Sequence, residues 1–575
     1  MLPASIGARA ARDGRAQRGS SIEVTGSFAR CVRATAREPL LVLAVLAGAW
    51  LRLHQLGEQI VADDEWHALD AARNLRWGEL FTHFGAADYC IPLALLDRLL
   101  METVGLSETG MRAPVLAAGL AGLVLLPLLL RPLLGRATST AFAWLLAVSP
   151  LHVYYSRFAR PYDITLLLSF GGAIAAWRWW TGGSRRWAAA SVACAVLAPW
   201  FNLVALPLSG APLAALAADG LLRGTLDGRA ARRLLATAGA IAAGLLLLLG
   251  PPLLVDGGTL LAKTGQPDVP GAAGWLSAAR QWAGTSEDGV VAAVGAAALA
   301  GALVLARRQP RCVGYLLVLW GVQAGAVHLA RPAFLEYVLA RYVLVSVPVV
   351  LVLVATALAA LEERLRRRLR VLPAGALAPL AAAALFWAGP LRFVYDGPNN
   401  WTNHAVHQYW YRSAGPWSFQ KAAREADPAG FYARLGLFAP PGSLRLVEAP
   451  WSMASTENMA LPLTQVLHRQ WVCIGFVGDG SRAGELPAGD PRFRFRNFVH
   501  VGDEEGLQQR RVRLVVFHRD RLLPPDPPGE PLPDVEGWIE RYRARWGRPL
   551  HEDEHMVVFD LGQPRDAASS SDAAR

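Results

Sequence analysis

Long apolar runs alternate with short polar connectors over most of the chain. Stretches of about 20 residues, the length that crosses a bilayer as a helix, recur at 39–56, 112–130, 137–155, 161–177, 187–199, 203–222, 234–255, 289–306, 312–330, 342–361 and 371–390. The run from Trp187 to Leu222 is too long for one crossing. It divides at Ala198-Pro199-Trp200-Phe201-Asn202, where Pro and Asn favour a turn. The pattern therefore predicts an α-helical polytopic membrane protein with about eleven transmembrane helices. Past residue 391 the period changes. Short strand-like runs at Leu444–Val447, Val472–Val477, Phe493–Val501, Val512–His518 and Met556–Asp560 alternate with helical stretches near Gln420–Leu437, Glu457–Arg469 and Glu536–Trp546. This predicts a C-terminal soluble α/β domain over 392–565, interrupted by the Pro-rich linker Leu523–Pro533 and followed by a small, polar, disordered tail at 566–575.

Composition agrees with a membrane chain. Of 575 residues, 53% are hydrophobic and only 18% charged, with a mean hydropathy of +0.27; whole-chain disorder is excluded. The formal charge of +11 would suit a nucleic-acid partner, but the charges sit in short clusters between apolar runs, so no nucleic acid is expected. Nearly all basic residues are Arg; the lysines are Lys263 and Lys421. One set of alternate loops holds Arg9 to Arg37, Arg131/Arg136, Arg178/Arg185/Arg186, Arg223/Arg229/Arg232/Arg233, Arg307/Arg308/Arg311 and Arg364 to Arg370, 24 basic residues in all. The longer opposite set holds about ten.

Because cytoplasmic loops are enriched in Arg and Lys, this predicts a cytoplasmic basic N-terminus (1–38), a transmembrane domain (39–391) with outer loops at 57–111 and 256–288, and an extracytoplasmic C-terminal domain. The alternation holds only if the Trp187–Leu222 run crosses twice. A signal peptide is disfavoured, since no small-residue cleavage site follows the first run and ten more spans do. The Arg-for-Lys bias points to a G+C-rich bacterial genome, hence the plasma (inner) membrane. Five scattered Cys without a CxxC spacing support neither a disulfide framework nor a zinc module.

Three segments could carry chemistry. Val61-Ala62-Asp63-Asp64-Glu65-Trp66-His67 follows the first span. Adjacent carboxylates at a membrane surface suit general-base work, because repulsion and partial burial raise one pKa; Asp63 or Asp64 equally suits an N-cap for the helix that follows. His152-Val153-Tyr154-Tyr155-Ser156-Arg157-Phe158-Ala159-Arg160-Pro161-Tyr162-Asp163 joins the third and fourth spans. Arg157 and Arg160 there can grip a phosphate with forked donors, or snorkel beside an interfacial tyrosine belt. Arg331 to Arg341-Tyr342 lies at another outer turn, where Glu336 could neutralise one arginine.

Smaller signals are His404 and His407, spaced i, i+3 as in a metal site; the sequon Asn400-Trp401-Thr402; and Gly478-Asp479-Gly480, which lacks the rest of a dinucleotide fingerprint. No cofactor motif is legible. A divalent cation is compatible with the acidic cluster, but the residues assign no metal ligands.

Together these segments resemble the GT-C class of membrane glycosyltransferases, in particular the branch of protein O-mannosyltransferases and lipid A aminoarabinose transferases. The Asp-Asp-Glu lies in the first outer loop, where the family keeps an Asp-Glu pair. Tyr155-Ser156-Arg157-Phe158-Ala159-Arg160-Pro161-Tyr162 is similar to its Tyr-Ser-Arg…Ala-Arg-x-Tyr turn, and Arg341-Tyr342 with Pro348 to an Arg-Tyr…Pro opening of a late span. The resemblance covers roughly 39–361. It departs at Asp88-Tyr89-Cys90-Ile91-Pro92-Leu93, where members often carry a His-Pro-Pro-Leu-like stretch; only Pro-Leu remains.

The resemblance implies transfer of a sugar, with inversion, from a polyprenyl-phosphate carrier to a lipid, glycan or protein acceptor at the outer face. Asp64 is then the candidate base, with Asp63 and Glu65 as its electrostatic neighbours. Arg160, Arg341 and Arg157 are candidates for the donor phosphate, and Asp88, Tyr155, Tyr162 and Tyr342 for substrate binding. A phosphate leaving group with its second pKa near 6 departs without a general acid, so a base and cations suffice. The rival readings are a polytopic transporter or a non-catalytic component of polysaccharide export. A transporter places ionisable residues and broken helices near the midplane, with repeat symmetry; here the acids lie in outer loops and no internal repeat is seen.

Overall fold

The computed structural model describes residues 38–62, 64–84, 90–262, 270–332, 336–369, 375–412, 416–451, 461–478, 490–519 and 534–562. The basic N-terminus, the Pro-rich linker and the end of the chain lie outside them, as do Asp63 and Asp88. Among the described residues seven helices are long and apolar enough to cross a membrane, spanning Pro39–Glu58, Glu108–Ala147, Leu203–Leu222, Gly228–Ala262, Asp288–Arg308, Pro310–Ala330 and Ser346–Arg368. The chain is a multi-pass membrane protein, and the expected count of eleven is not reached by that measure. Helices Tyr162–Gly182, Arg185–Phe201 and Leu377–Ala388 overlie three further predicted runs. The second and third runs are merged in Glu108–Ala147, broken only at Gly135, whose φ of 83° is open to glycine without strain.

Ion pairs gather the arginine-rich connectors at one end of the bundle. Glu38 meets Arg131 and Arg136, Asp219 meets Arg311, and Glu363 meets Arg308. Helix Ser346–Arg368 carries Glu363 near one end and starts just after Arg341. Its 23 residues rise about 34 Å, so Arg341 and the acidic segment lie at the opposite end. Helices Asp288–Arg308 and Ser346–Arg368 approach closely at Gly301, where an added Cβ would fall 1.8 Å from the Leu353 carbonyl oxygen. Backbone cannot yield as a side chain does. Gly301→Leu is therefore expected to destabilise the bundle by about 2–3 kcal/mol or more, read as a lower unfolding temperature in detergent.

Past Ala388 the chain builds short helices and a six-stranded sheet: β1 Arg445–Ala449, β2 Trp471–Phe476, β3 Phe498–His500, β4 Leu514–His518, β5 His551–Glu552 and β6 Met556–Asp560, in the order β3-β2-β1-β4-β6-β5. The first four are parallel, with Leu446 opposite Val472 and Leu514; β6 runs antiparallel to β4. Helix Val535–Trp546 covers one face through Val535, Ile539 and Tyr542. Helix Phe431–Phe438 and the segment around Trp66 share the other. The stretch Gln420–Leu437, predicted as one helix, is two (Pro416–Glu425 and Phe431–Phe438), broken beside Asp427, which accepts the Tyr432 and Ala433 amides. The predicted strand Phe493–Val501 shortens to β3, because the Arg494 amide is drawn away to the Leu106 carbonyl at 2.7 Å.

That exchange is one of several clamps between the tail and the first long loop. Glu58 pairs with Arg445 at 3.3 Å and Arg496 at 2.5 Å. Glu108 accepts the Arg496 amide at 2.7 Å, and the Ile60 amide reaches the Asn400 carbonyl at 2.8 Å. Asn400 itself is fully buried and donates to the Val472 carbonyl, so its sequon is closed to modification in the folded chain.

Candidate active site

Asp64 stands at the N-cap position of helix Glu65–Asn74, but its side chain caps nothing. It turns instead to Arg341, whose Nη1 donates to Oδ2 at 2.5 Å. His67, one turn along the same helix, lies 3.5 Å from Oδ1 and is 40% exposed, against 16% for Asp64. Asp64 does not take the capping alternative, because with a guanidinium in reach the charge-assisted bond outcompetes a neutral amide; Asp63, the other capping candidate, lies outside the described residues. Burial works to raise the Asp64 carboxyl. The charge of Arg341, the His67 hydrogen bond and the charge of Arg160 outweigh it and hold the group well below the usual carboxylate range.

Arg341 sits in a cradle of rings drawn from three segments. Tyr162 and Tyr342 lie 5.6 and 5.5 Å from its guanidinium, and Tyr155 hydrogen-bonds it. Its Nε has no hydrogen-bond partner among the described residues. Arg160 is buried and within electrostatic reach of Asp64 and Cys90. The fold thus brings together Asp64, Arg160, Arg341, Tyr155, Tyr162 and Tyr342, which the sequence scatters over nearly 280 positions (Arg341 to Asp64, |i−j| of 277).

Two expected members are placed elsewhere. Glu65 is wholly buried and its carboxylate is consumed. Oε1 takes Arg112 Nε at 2.8 Å and the Ala159 amide at 2.7 Å; Oε2 takes Arg112 Nη2 at 2.7 Å and the Ala62 amide at 3.1 Å. It locks the acidic segment to the turn carrying Arg160 and is a positioning residue, with no oxygen left for substrate. Arg157 is likewise spent. Nη1 donates to the carbonyls of Leu51 at 2.9 Å and His54 at 2.6 Å, and Nε to Gln59 Oε1 at 3.0 Å, so it caps the C-terminal end of helix Pro39–Leu53. Arg157, expected at the donor phosphate, thus stands in this structure as a helix cap.

Sequence reasoning missed Arg112, fully buried and also bonded to the Gln59 and Ile60 carbonyls at 2.6 and 2.7 Å. It missed Asp97 as well, a buried acid of helix Ile91–Thr103 whose carboxyl is pushed well above the usual range by burial and the nearby Glu65 charge. His404 and His407 serve the tyrosine turn. His404 Nδ1 pairs with the Tyr154 hydroxyl at 2.9 Å, and His407 Nε2 with that of Tyr155 at 3.2 Å. Burial pushes His404 down to about 4 and His407 well below its ordinary value, so both rings are neutral supports. Among the described residues no group of three His, Cys, Asp or Glu could hold a metal ion. The side chain of Glu336 lies outside the described residues.

No family model matches this sequence, and no curated protein matches it. Among solved structures the chain is similar to ArnT from Cupriavidus metallidurans in the apo state, at 15% identity over 92% of this chain and 98% of that one, with a TM-score of 0.43. It is similar to the same protein bound to undecaprenyl phosphate at 14% identity, over 93% and 98%, with a TM-score of 0.39. A third likeness is to the Archaeoglobus fulgidus oligosaccharyltransferase in complex with Zn and sulfate, at 16% identity over 83% of this chain and 67% of that one, with a TM-score of 0.36.

Proposed function

We propose that the protein is an inverting glycosyltransferase of the bacterial inner membrane, moving a sugar from a polyprenyl-phosphate donor to an acceptor hydroxyl or phosphate group at the outer face. The observation that carries this reading is the Asp64–Arg341 pair, with Arg160 beside it, at the span ends opposite the arginine-rich connectors. A lipid-linked donor presents its phosphate at that depth, and a base and two cations are what its chemistry needs. The acceptor O–H gives its proton to Asp64 as its oxygen forms the new bond to the anomeric carbon. The bond from that carbon to the phosphate oxygen breaks, and the electron pair leaves with the phosphate toward Arg160 and Arg341.

The pairing adds a control. In the free enzyme Arg341 holds Asp64 as a very weak base; an incoming donor phosphate competes for the same guanidinium and frees the carboxylate, so the base is armed when the donor is in place. Arg341→Gln removes the charge that depresses Asp64. The ionised base is the active form, so the acid limb of the pH–rate profile is expected to move to higher pH, while the rate at saturating donor falls. An unmoved acid limb would place the base elsewhere. The direct test is transfer from a radiolabelled polyprenyl-phosphate sugar in proteoliposomes, abolished in Asp64→Asn with insertion unchanged.

A further inference from the structure

At the carboxyl ends of β2 and β3 the tail opens a cleft of about 420 Å³, within the range of small-molecule sites. Phe476, Phe493, Phe495 and Phe498 line its apolar part, with Phe476 and Phe498 stacked at 5.6 Å and Phe493 and Phe495 at 5.9 Å. Glu505, Gln509 and His500 line its polar part, with Asp490, whose two carboxylate oxygens are held by the Arg492 guanidinium at 2.7–3.1 Å. His500 Nδ1 accepts the Gly502 amide at 3.0 Å, which leaves the proton on Nε2 as a donor. Gln509 Nε2 donates to Glu505 Oε1 at 3.0 Å, holding that carboxylate in place on helix Glu504–Gln509.

Phe493 is the half-buried ring of the four, backed by the buried Phe476, Phe495 and Phe498; its face, beside the Glu505 carboxylate, the Gln509 amide and His500 Nε2, matches a pyranose with its C–H faces and ring of hydroxyls. Other ligands fit worse. An anionic headgroup would meet the carboxylates of Asp503 and Glu505, and the lining Arg510 spends donors on the carbonyls of Arg496 and Gly506. An acyl chain would desolvate those acids. A peptide added as a strand would find only three residues of β3 to template it.

The position of the cleft is the second observation. Phe495 and Phe498, which line it, also pack on Trp66 at 6.3 and 5.4 Å, and Trp66 is two residues from Asp64 on the same short element. One aromatic layer separates the cleft from the helix that carries the acid.

We propose that this cleft is an acceptor subsite and takes a neutral, hydroxyl-rich oligosaccharide; the assignment as acceptor rests on the glycosyltransferase reading, whereas the saccharide binding does not. Full-length protein in nanodiscs is titrated by equilibrium dialysis with labelled maltotriose, cellotriose and α-1,6-linked mannotriose. At least one is expected to bind saturably, with affinity about tenfold weaker in Phe493→Ala and in the surface variant Glu505→Gln, and unchanged in Asp64→Asn. No saturable binding of any of the three, or binding indifferent to both cleft variants, overturns the site. Binding displaced by a polyprenyl-phosphate sugar overturns its assignment to the acceptor. Saccharide binding in an unsubstituted protein that transfers no sugar from any polyprenyl-phosphate donor would refute the catalytic reading and leave the cleft standing.

Discussion

Asp64→Asn is expected to lower the transfer rate about a thousandfold, roughly 4 kcal/mol of transition-state stabilisation, with little change in stability. The amide matches the carboxylate in size and can still accept from Arg341, so the cradle of Tyr155, Tyr162 and Tyr342 stays filled. What is lost is the capacity to take the proton of the acceptor hydroxyl. Single-turnover transfer at saturating donor separates this from donor binding, which the variant should keep, because the guanidiniums are freed from a competing negative charge. A rate within tenfold of the parent would assign the base to another carboxylate, with Asp63 first in sequence proximity.

The second large effect falls on folding. Arg112→Leu strands the Glu65 carboxylate in a site with no exposure, and leaves the Gln59 and Ile60 carbonyls without their donor. Breaking one side of a buried pair costs about 3–5 kcal/mol, enough to unfold or clear most of the protein. The expected result is low yield and a sharply reduced unfolding temperature in detergent. Combining Glu65→Gln with Arg112→Met should recover part of that loss, since neither charge then lies buried alone. If Arg112→Leu instead folds normally and loses only activity, the pair belongs to the chemistry and not to the scaffold.

These two neighbours show how far the sequence could be read. Asp64 and Glu65 are indistinguishable in composition and spacing. Their roles part only because Arg112 lies 47 residues away and Arg341 lies 277 away, and pairing over such separations leaves no local signature. Arg157 and Arg160 are similar: both read as phosphate donors, yet the end of helix Pro39–Leu53 claims the first through carbonyls that no side-chain pattern advertises. The apolar runs were legible because a bilayer demands unbroken apolar length. The strands of the parallel half were legible from their β-branched residues, whereas β5, two residues long, carries too little pattern to announce itself. Buried acids such as Asp97 look like solvent-facing ones until the surrounding helices are in place.

Trp66 is wedged between the short acidic helix and the rings of Trp451, Phe495 and Phe498. A chain stopped after residue 391 could still thread the bilayer, since threading depends on apolar length, but it would carry its acid on a helix with the indole bare to water. Shortened forms made for production would need to keep the tail, and chimaeras would need to exchange loop and tail together as one cassette.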